Sequence, residues 1–123
     1  MATGNITIAA NITGGADGSW SLNTTFTAPS AVQGETIVAL TAGSSTISVP
    51  SGATSAIIVP PNAAFPQPNP VWGGTLTLKG VSGDTGVAIS NKYLTPLVWD
   101  TGNVPANIVL TSTAVGTLYV RFM

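Results

Sequence analysis

The sequence predicts an all-β protein, an antiparallel β-sandwich, jelly-roll-like, folded as a single domain over residues 1–123. Two observations carry that prediction. Apolar and polar residues alternate with a period of two in short runs, as in Thr75-Leu76-Thr77-Leu78-Lys79 and Gly116-Thr117-Leu118-Tyr119-Val120-Arg121-Phe122. Clusters of Gly, Pro, Asn and Asp interrupt those runs at intervals of about 8–12 residues, the rhythm of a sandwich or barrel. Nowhere do apolar residues hold a helical spacing over more than two turns. A chain of 123 residues suits one domain and hides enough surface to build a core without staples.

Taken in order, Asn5-Ile6-Thr7-Ile8 and Asn11-Ile12-Thr13 predict one strand, or two with a break. Gly14-Gly15-Ala16-Asp17-Gly18 is a hairpin turn, because Gly and Asp tolerate positive φ. The segment Trp20–Phe26 then returns antiparallel, with Trp20, Leu22, Thr24 and Phe26 on one face. Residues 29–35 read as a loop, Thr36–Leu40 as a strand, Ala42–Ser45 as a turn and Thr46–Val49 as the next strand. Pro50–Thr54 turns into the strand Ser55–Val59. Five prolines in the eleven positions 60–70 cannot donate ladder hydrogen bonds, so that segment is an extended, proline-rich loop. It is either a crossover between sheets or a preformed arm carrying Phe65, Pro66 and Pro68 and leading to Trp72. The strand 75–79, the glycine-rich turn 80–86 and the short strand 87–89 follow. After 90–96 come Leu97–Asp100, a large turn over 101–106, and the last strands 107–111 and 116–122.

Charge is the outlying property. Only 6% of residues are charged, against about 25% in an ordinary soluble domain. Mean hydropathy is +0.43. The surface is then finished with Ser, Thr, Asn and Gly, and a surface without charge is poorly protected against association. A weakly charged Thr/Ser-rich β domain is one explanation. The preferred one is that copies of the same chain, or a larger assembly, cover much of that surface.

The same numbers exclude several partners. A net charge of −1, with Lys79, Lys92 and Arg121 far apart, argues against nucleic acid. No apolar run reaches 18 residues, so no membrane-spanning helix is expected. The first residues lack a basic segment and an apolar segment, and the expected place of synthesis is the cytoplasm. The Asn-x-Thr triplets at Asn5, Asn11 and Asn23 match glycan acceptors, but read more simply as a solvated strand face.

Chemistry is scarce. Without His or Cys, nucleophile triads, cysteine catalysis and nearly all zinc sites are excluded. Asp17, Glu35, Asp84 and Asp100 are the whole supply of carboxylates, and three of them adjoin glycines in turns. No spacing pairs two across a substrate, as a glycosidase requires. In Lys79-Gly80-Val81-Ser82-Gly83-Asp84-Thr85-Gly86, Lys precedes the glycines and strands follow, so it is not a phosphate loop. No catalytic residue, cofactor or metal site is expected. Trp20, Phe26 and Tyr119 lie on alternating strands and are assigned to the core. Phe65, Trp72 and Tyr93 lie in or beside loops, so with Pro66 and Pro68 they are the contact candidates. Sugar stacking on Trp72 is the competing use.

The run Thr46-Ile47-Ser48-Val49-Pro50-Ser51-Gly52-Ala53-Thr54, with Leu76-Thr77-Leu78-Lys79-Gly80 and Gly83-Asp84-Thr85-Gly86, resembles small virion structural proteins of tailed bacteriophages. The resemblance covers residues 36–123 and is one of style, with no residue-level motif to carry over. It implies a non-enzymatic capsid decoration (cement) or head-fibre protein on the outer surface of the virion. That implies a homo-oligomer, trimer favoured, clamping the major capsid protein. A tail or fibre module that binds host-surface carbohydrate is the alternative.

Overall fold

The computed structural model describes residues 4–15, 18–28, 34–62, 72–81, 83–100 and 102–123, with residues up to 35 described through their backbone alone. The described chain is all β. Its ten strands are β1 (Gly4–Gly15), β2 (Gly18–Ala28), β3 (Gly34–Leu40), β4 (Gly43–Ser48), β5 (Ser55–Val59), β6 (Leu76–Lys79), β7 (Val87–Ile89), β8 (Thr95–Val98), β9 (Asn107–Ser112) and β10 (Gly116–Phe122).

Eight strands form two four-stranded antiparallel sheets, in the orders β3-β10-β5-β8 and β4-β9-β6-β7. Every connection from β3 onward crosses from one sheet to the other, except the β6–β7 hairpin. The two sheets pack face to face, which is the sandwich the alternating runs predict. β1 and β2 make a separate two-stranded ribbon that hydrogen-bonds to neither sheet.

Period-two alternation decides what enters the core. β10 sends Leu118, Val120 and Phe122 inward, all 0% exposed, while Thr117, Tyr119 and Arg121 point out. β3 adds Val38 and Leu40, and β5 adds Ala56 and Ile58. From the opposite sheet come Ile47, Ile108, Leu110 and Leu76. Each large apolar side chain buried this way stabilises by about 1.5–3 kcal/mol. Met123 extends β10's register: its N–H donates to the Ser55 carbonyl at 3.0 Å, and its own carbonyl accepts from Ser55 N–H at 3.0 Å and Thr54 N–H at 2.7 Å.

One alternative resolves and two local expectations change. β1 is one strand, with a register irregularity between Ile12 and Gly15 near the turn. β4 begins at Gly43, inside the expected turn, because Ser44 and Ser45 pair with Thr111 and Leu110 despite lacking an apolar pattern. β8 begins at Thr95, ahead of the expected Leu97, and includes Pro96 opposite Ile57. A proline fits there because β8 is an edge strand, where a missing N–H breaks no inner ladder.

Candidate interaction surface

The loops at one end of the sandwich are held together by side-chain amides and one indole. Asn62, just after β5, donates through Nδ2 to the Asn91 carbonyl at 2.6 Å and to the Trp72 carbonyl at 3.0 Å. Asn91, just after β7, donates through its own Nδ2 to the Gly74 carbonyl at 2.9 Å. Trp72 Nε1 donates to the Val115 carbonyl at 2.8 Å, tying in the β9–β10 turn. That turn is fixed again by Thr113 Oγ1, which accepts from Thr75 N–H at 2.8 Å. In the β7–β8 loop, Ser90 Oγ accepts from Lys92 N–H at 3.1 Å and Tyr93 N–H at 3.0 Å.

Glycines make room for the indole. A Cβ at Gly74 would lie 2.3 Å from Trp72 Cζ2, and one at Gly116 would lie 2.7 Å from Trp72 Nε1. The ring fills the space between two backbones that only glycine leaves open. Trp72 is therefore 7% exposed and belongs to the core cluster. This corrects the expectation that Trp72 is a contact or sugar-stacking residue: its face is covered and its N–H is taken.

This braced end displays three large apolar side chains. Tyr93 is 74% exposed, Leu94 53% and Val115 76%. Tyr93, one of the contact candidates, is exposed, and so are Leu94 and Val115, which the sequence pattern did not single out. Leu94 and Val115 sit in loops without periodicity, so no pattern marked them. Phe65, Pro66 and Pro68, the other contact candidates, lie outside the described residues. So do the side chains of Trp20 and Phe26, and the core assignment of Tyr119 is corrected, since it points outward from β10 and is half-buried.

The outer faces of the two sheets differ in chemistry. On the β4-β9-β6-β7 sheet the outward positions are mostly hydroxyl-bearing, and Ser44 Oγ and Thr111 Oγ1 hydrogen-bond across strands at 3.0 Å. On the β3-β10-β5-β8 sheet, Ile37, Tyr119 and Val59 stand side by side in register, flanked by Ile57, Pro96 and Val98. Ile37 is 65% and Val98 44% exposed. Arg121 is the one charged side chain among the described outward positions of that sheet.

At the opposite end, between the β6–β7 and β8–β9 loops, lies an open cavity of about 490 Å³ lined by Trp99, Leu97, Lys79, Asp84 and Asn107. Asp84 Oδ2 accepts from Val81 N–H at 3.0 Å, so this carboxylate caps its own turn as the sequence suggests. No cluster of three or more His, Cys, Asp or Glu occurs among the described residues. No helix among them is long and apolar enough to cross a membrane. Comparison with known proteins finds no matching family, no matching curated protein and no matching solved structure.

Proposed function

We propose that this chain is a non-enzymatic bacteriophage virion protein that binds the outer capsid surface as a homo-oligomeric decoration (cement) protein and stabilises it. The observation that carries the reading is the braced loop end presenting Tyr93, Leu94 and Val115. Three apolar side chains held out on a cross-linked platform bind with little ordering cost, which suits a clamp on a rigid, repeating shell. We also read the strand orders β3-β10-β5-β8 and β4-β9-β6-β7, all antiparallel, as a jelly roll. That architecture serves viral capsid and lectin domains alike, so it supports the reading only by analogy.

Co-sedimentation with capsids stripped of this protein tests the proposal. The full chain is expected to pellet with the capsids and to raise their melting temperature. Tyr93→Asp, exposed and outside the core, is expected to remove binding while leaving the β spectrum unchanged. Capsids that neither bind nor gain stability would refute it.

A second reading, a tail or fibre module binding host-surface carbohydrate, is favoured by the cavity with half-buried Trp99 beside Asp84, Lys79 and Asn107. A ring at an open cavity flanked by polar groups suits the apolar face and hydroxyls of a sugar. Glycan binding by the isolated protein, lost in Trp99→Ala and kept in Tyr93→Asp, would favour this reading over the first.

A further inference from the structure

The positive-φ residues among those described are three glycines, and all stand at one end of the sandwich: Gly52 at φ 86°, Gly86 at 77° and Gly102 at 85°. Each belongs to a different loop, between β4 and β5, β6 and β7, and β8 and β9. A side chain would be strained in that conformation, so these loop shapes depend on glycine. Gly86 lines the cavity beside Trp99, while Gly52 and Gly102 line a second cavity of about 380 Å³. Pro105 lines both, so the two cavities lie on either side of one residue. Each has the volume of a ligand site, about 300–1,000 Å³.

Two of the three loops are fixed to each other by their backbones. Val49 N–H donates to the Ala106 carbonyl at 2.9 Å, and Trp99 N–H donates to the Thr54 carbonyl at 3.1 Å. Ala53 N–H and Asn103 N–H are taken within their own turns, by the Pro50 and Asp100 carbonyls. With those donors spent, a peptide strand finds no ladder here to join. Side-chain groups are what remain. Among the described residues, no hydrogen bond involves the Trp99 indole N–H, the Asn107 amide or the Ser51 hydroxyl. The Trp72 indole, by contrast, is bonded. Lys79 and Asp84 bring one charge of each sign to the first cavity, and no charged residue lines the second.

Resting on the carbohydrate reading above, we propose that the two cavities form one site for an uncharged oligosaccharide. One sugar stacks on Trp99, and the next lies beyond Pro105 against Ser51 and Thr54. The indole takes the apolar face of the first sugar, while its N–H, the Asn107 amide and the Ser51 hydroxyl take sugar hydroxyls. Loops set in advance keep the ordering cost of binding low.

Titration of the full chain on a glycan array reads the outcome. Each neutral sugar is printed as mono-, di- and tetrasaccharide, beside sulfated and uronic-acid chains of the same lengths. In at least one neutral series the disaccharide is expected to bind at least about tenfold more tightly than its monosaccharide. Ser51→Phe, at an exposed position that lines the second cavity, is expected to abolish that gain while keeping monosaccharide binding and the β spectrum. If Ser51→Phe fails to fold, Val104→Phe takes its place. Equal affinity for mono- and disaccharide, a gain that survives the filled second cavity, or preference for acidic chains would each overturn the proposal while leaving the carbohydrate reading in place. Binding to no glycan at all would overturn both.

Discussion

Adjacent glycines at 73 and 74 offer a test of whether Trp72 belongs to the fold or to a contact. Neither has a positive φ, so alanine costs neither of them backbone strain. At Gly73 nothing lies within 4 Å of a new Cβ, whereas at Gly74 the Cβ would sit 2.3, 2.7 and 2.8 Å from three atoms of the Trp72 ring. The ring has no retreat, because Gly116 and its neighbour Pro61 close the other side. Overfilling a packed site costs about 1–3 kcal/mol. Displacing the indole also breaks its 2.8 Å bond to the Val115 carbonyl, and a buried polar group left unpaired costs about 1–3 kcal/mol. Gly74→Ala is therefore expected to lose about 2–6 kcal/mol, a large share of the 5–15 kcal/mol typical of a whole domain. Gly73→Ala is expected to be neutral, or stabilised by about 0.4–1 kcal/mol through the unfolded state. That unfolded-state gain is common to both, so the difference between them isolates the ring. Urea unfolding, with unchanged slope as the check on comparability, gives both values. Equal midpoints would refute the placement of the indole and return Trp72 to the list of contact residues.

Three further outcomes follow from the same geometry. Leu110→Ala, at a 0% exposed position in the middle of β9, is expected to cost about 2–5 kcal/mol by urea unfolding. Asn62→Ala strands the Trp72 and Asn91 carbonyls, so a loss of about 1–3 kcal/mol and weaker capsid co-sedimentation are expected together. Association through faces this poor in charge is expected to be insensitive to ionic strength in light scattering, and dissociation at high salt alone would contradict it.

The strands were legible wherever alternation was apolar. β10 and β6 follow from Leu118, Val120 and Phe122, and from Leu76 and Leu78, because each inward position is also a hydrophobic letter. β4 was half hidden, since its first residues are Gly43, Ser44 and Ser45 and their pairing depends on β9, sixty-odd residues away. The braced loop end was barely legible. Its ties join Asn62 to Asn91 and Trp72 to Val115, and such pairs exist only once two sheets have brought separate loops to one edge. A tryptophan beside a proline-rich segment looks exposed in sequence. Its burial rests on two glycines, Gly74 and Gly116, whose role is to have no side chain.

Where the charges stand bears on which surfaces are meant for contact. Lys79 and Asp84 border the open cavity, and Asp100 follows β8 into the same group of loops. Lys92 adjoins Tyr93 at the braced end. The outer face of the β3-β10-β5-β8 sheet carries Arg121 as its one charged side chain among the described positions. The next row, Ile37-Tyr119-Val59, has none. A sheet face left to water gains solubility from scattered Lys and Glu at no packing cost, because outward positions constrain size and shape least. Hydroxyls fill more than half of those positions on the other sheet, Ser44, Thr46, Ser48, Thr77 and Thr111 among them, so polar residues fit them as well in this fold. Keeping Ile, Tyr and Val in one sheet's outward row therefore serves no need of the isolated sandwich. It costs solubility unless a second surface covers it.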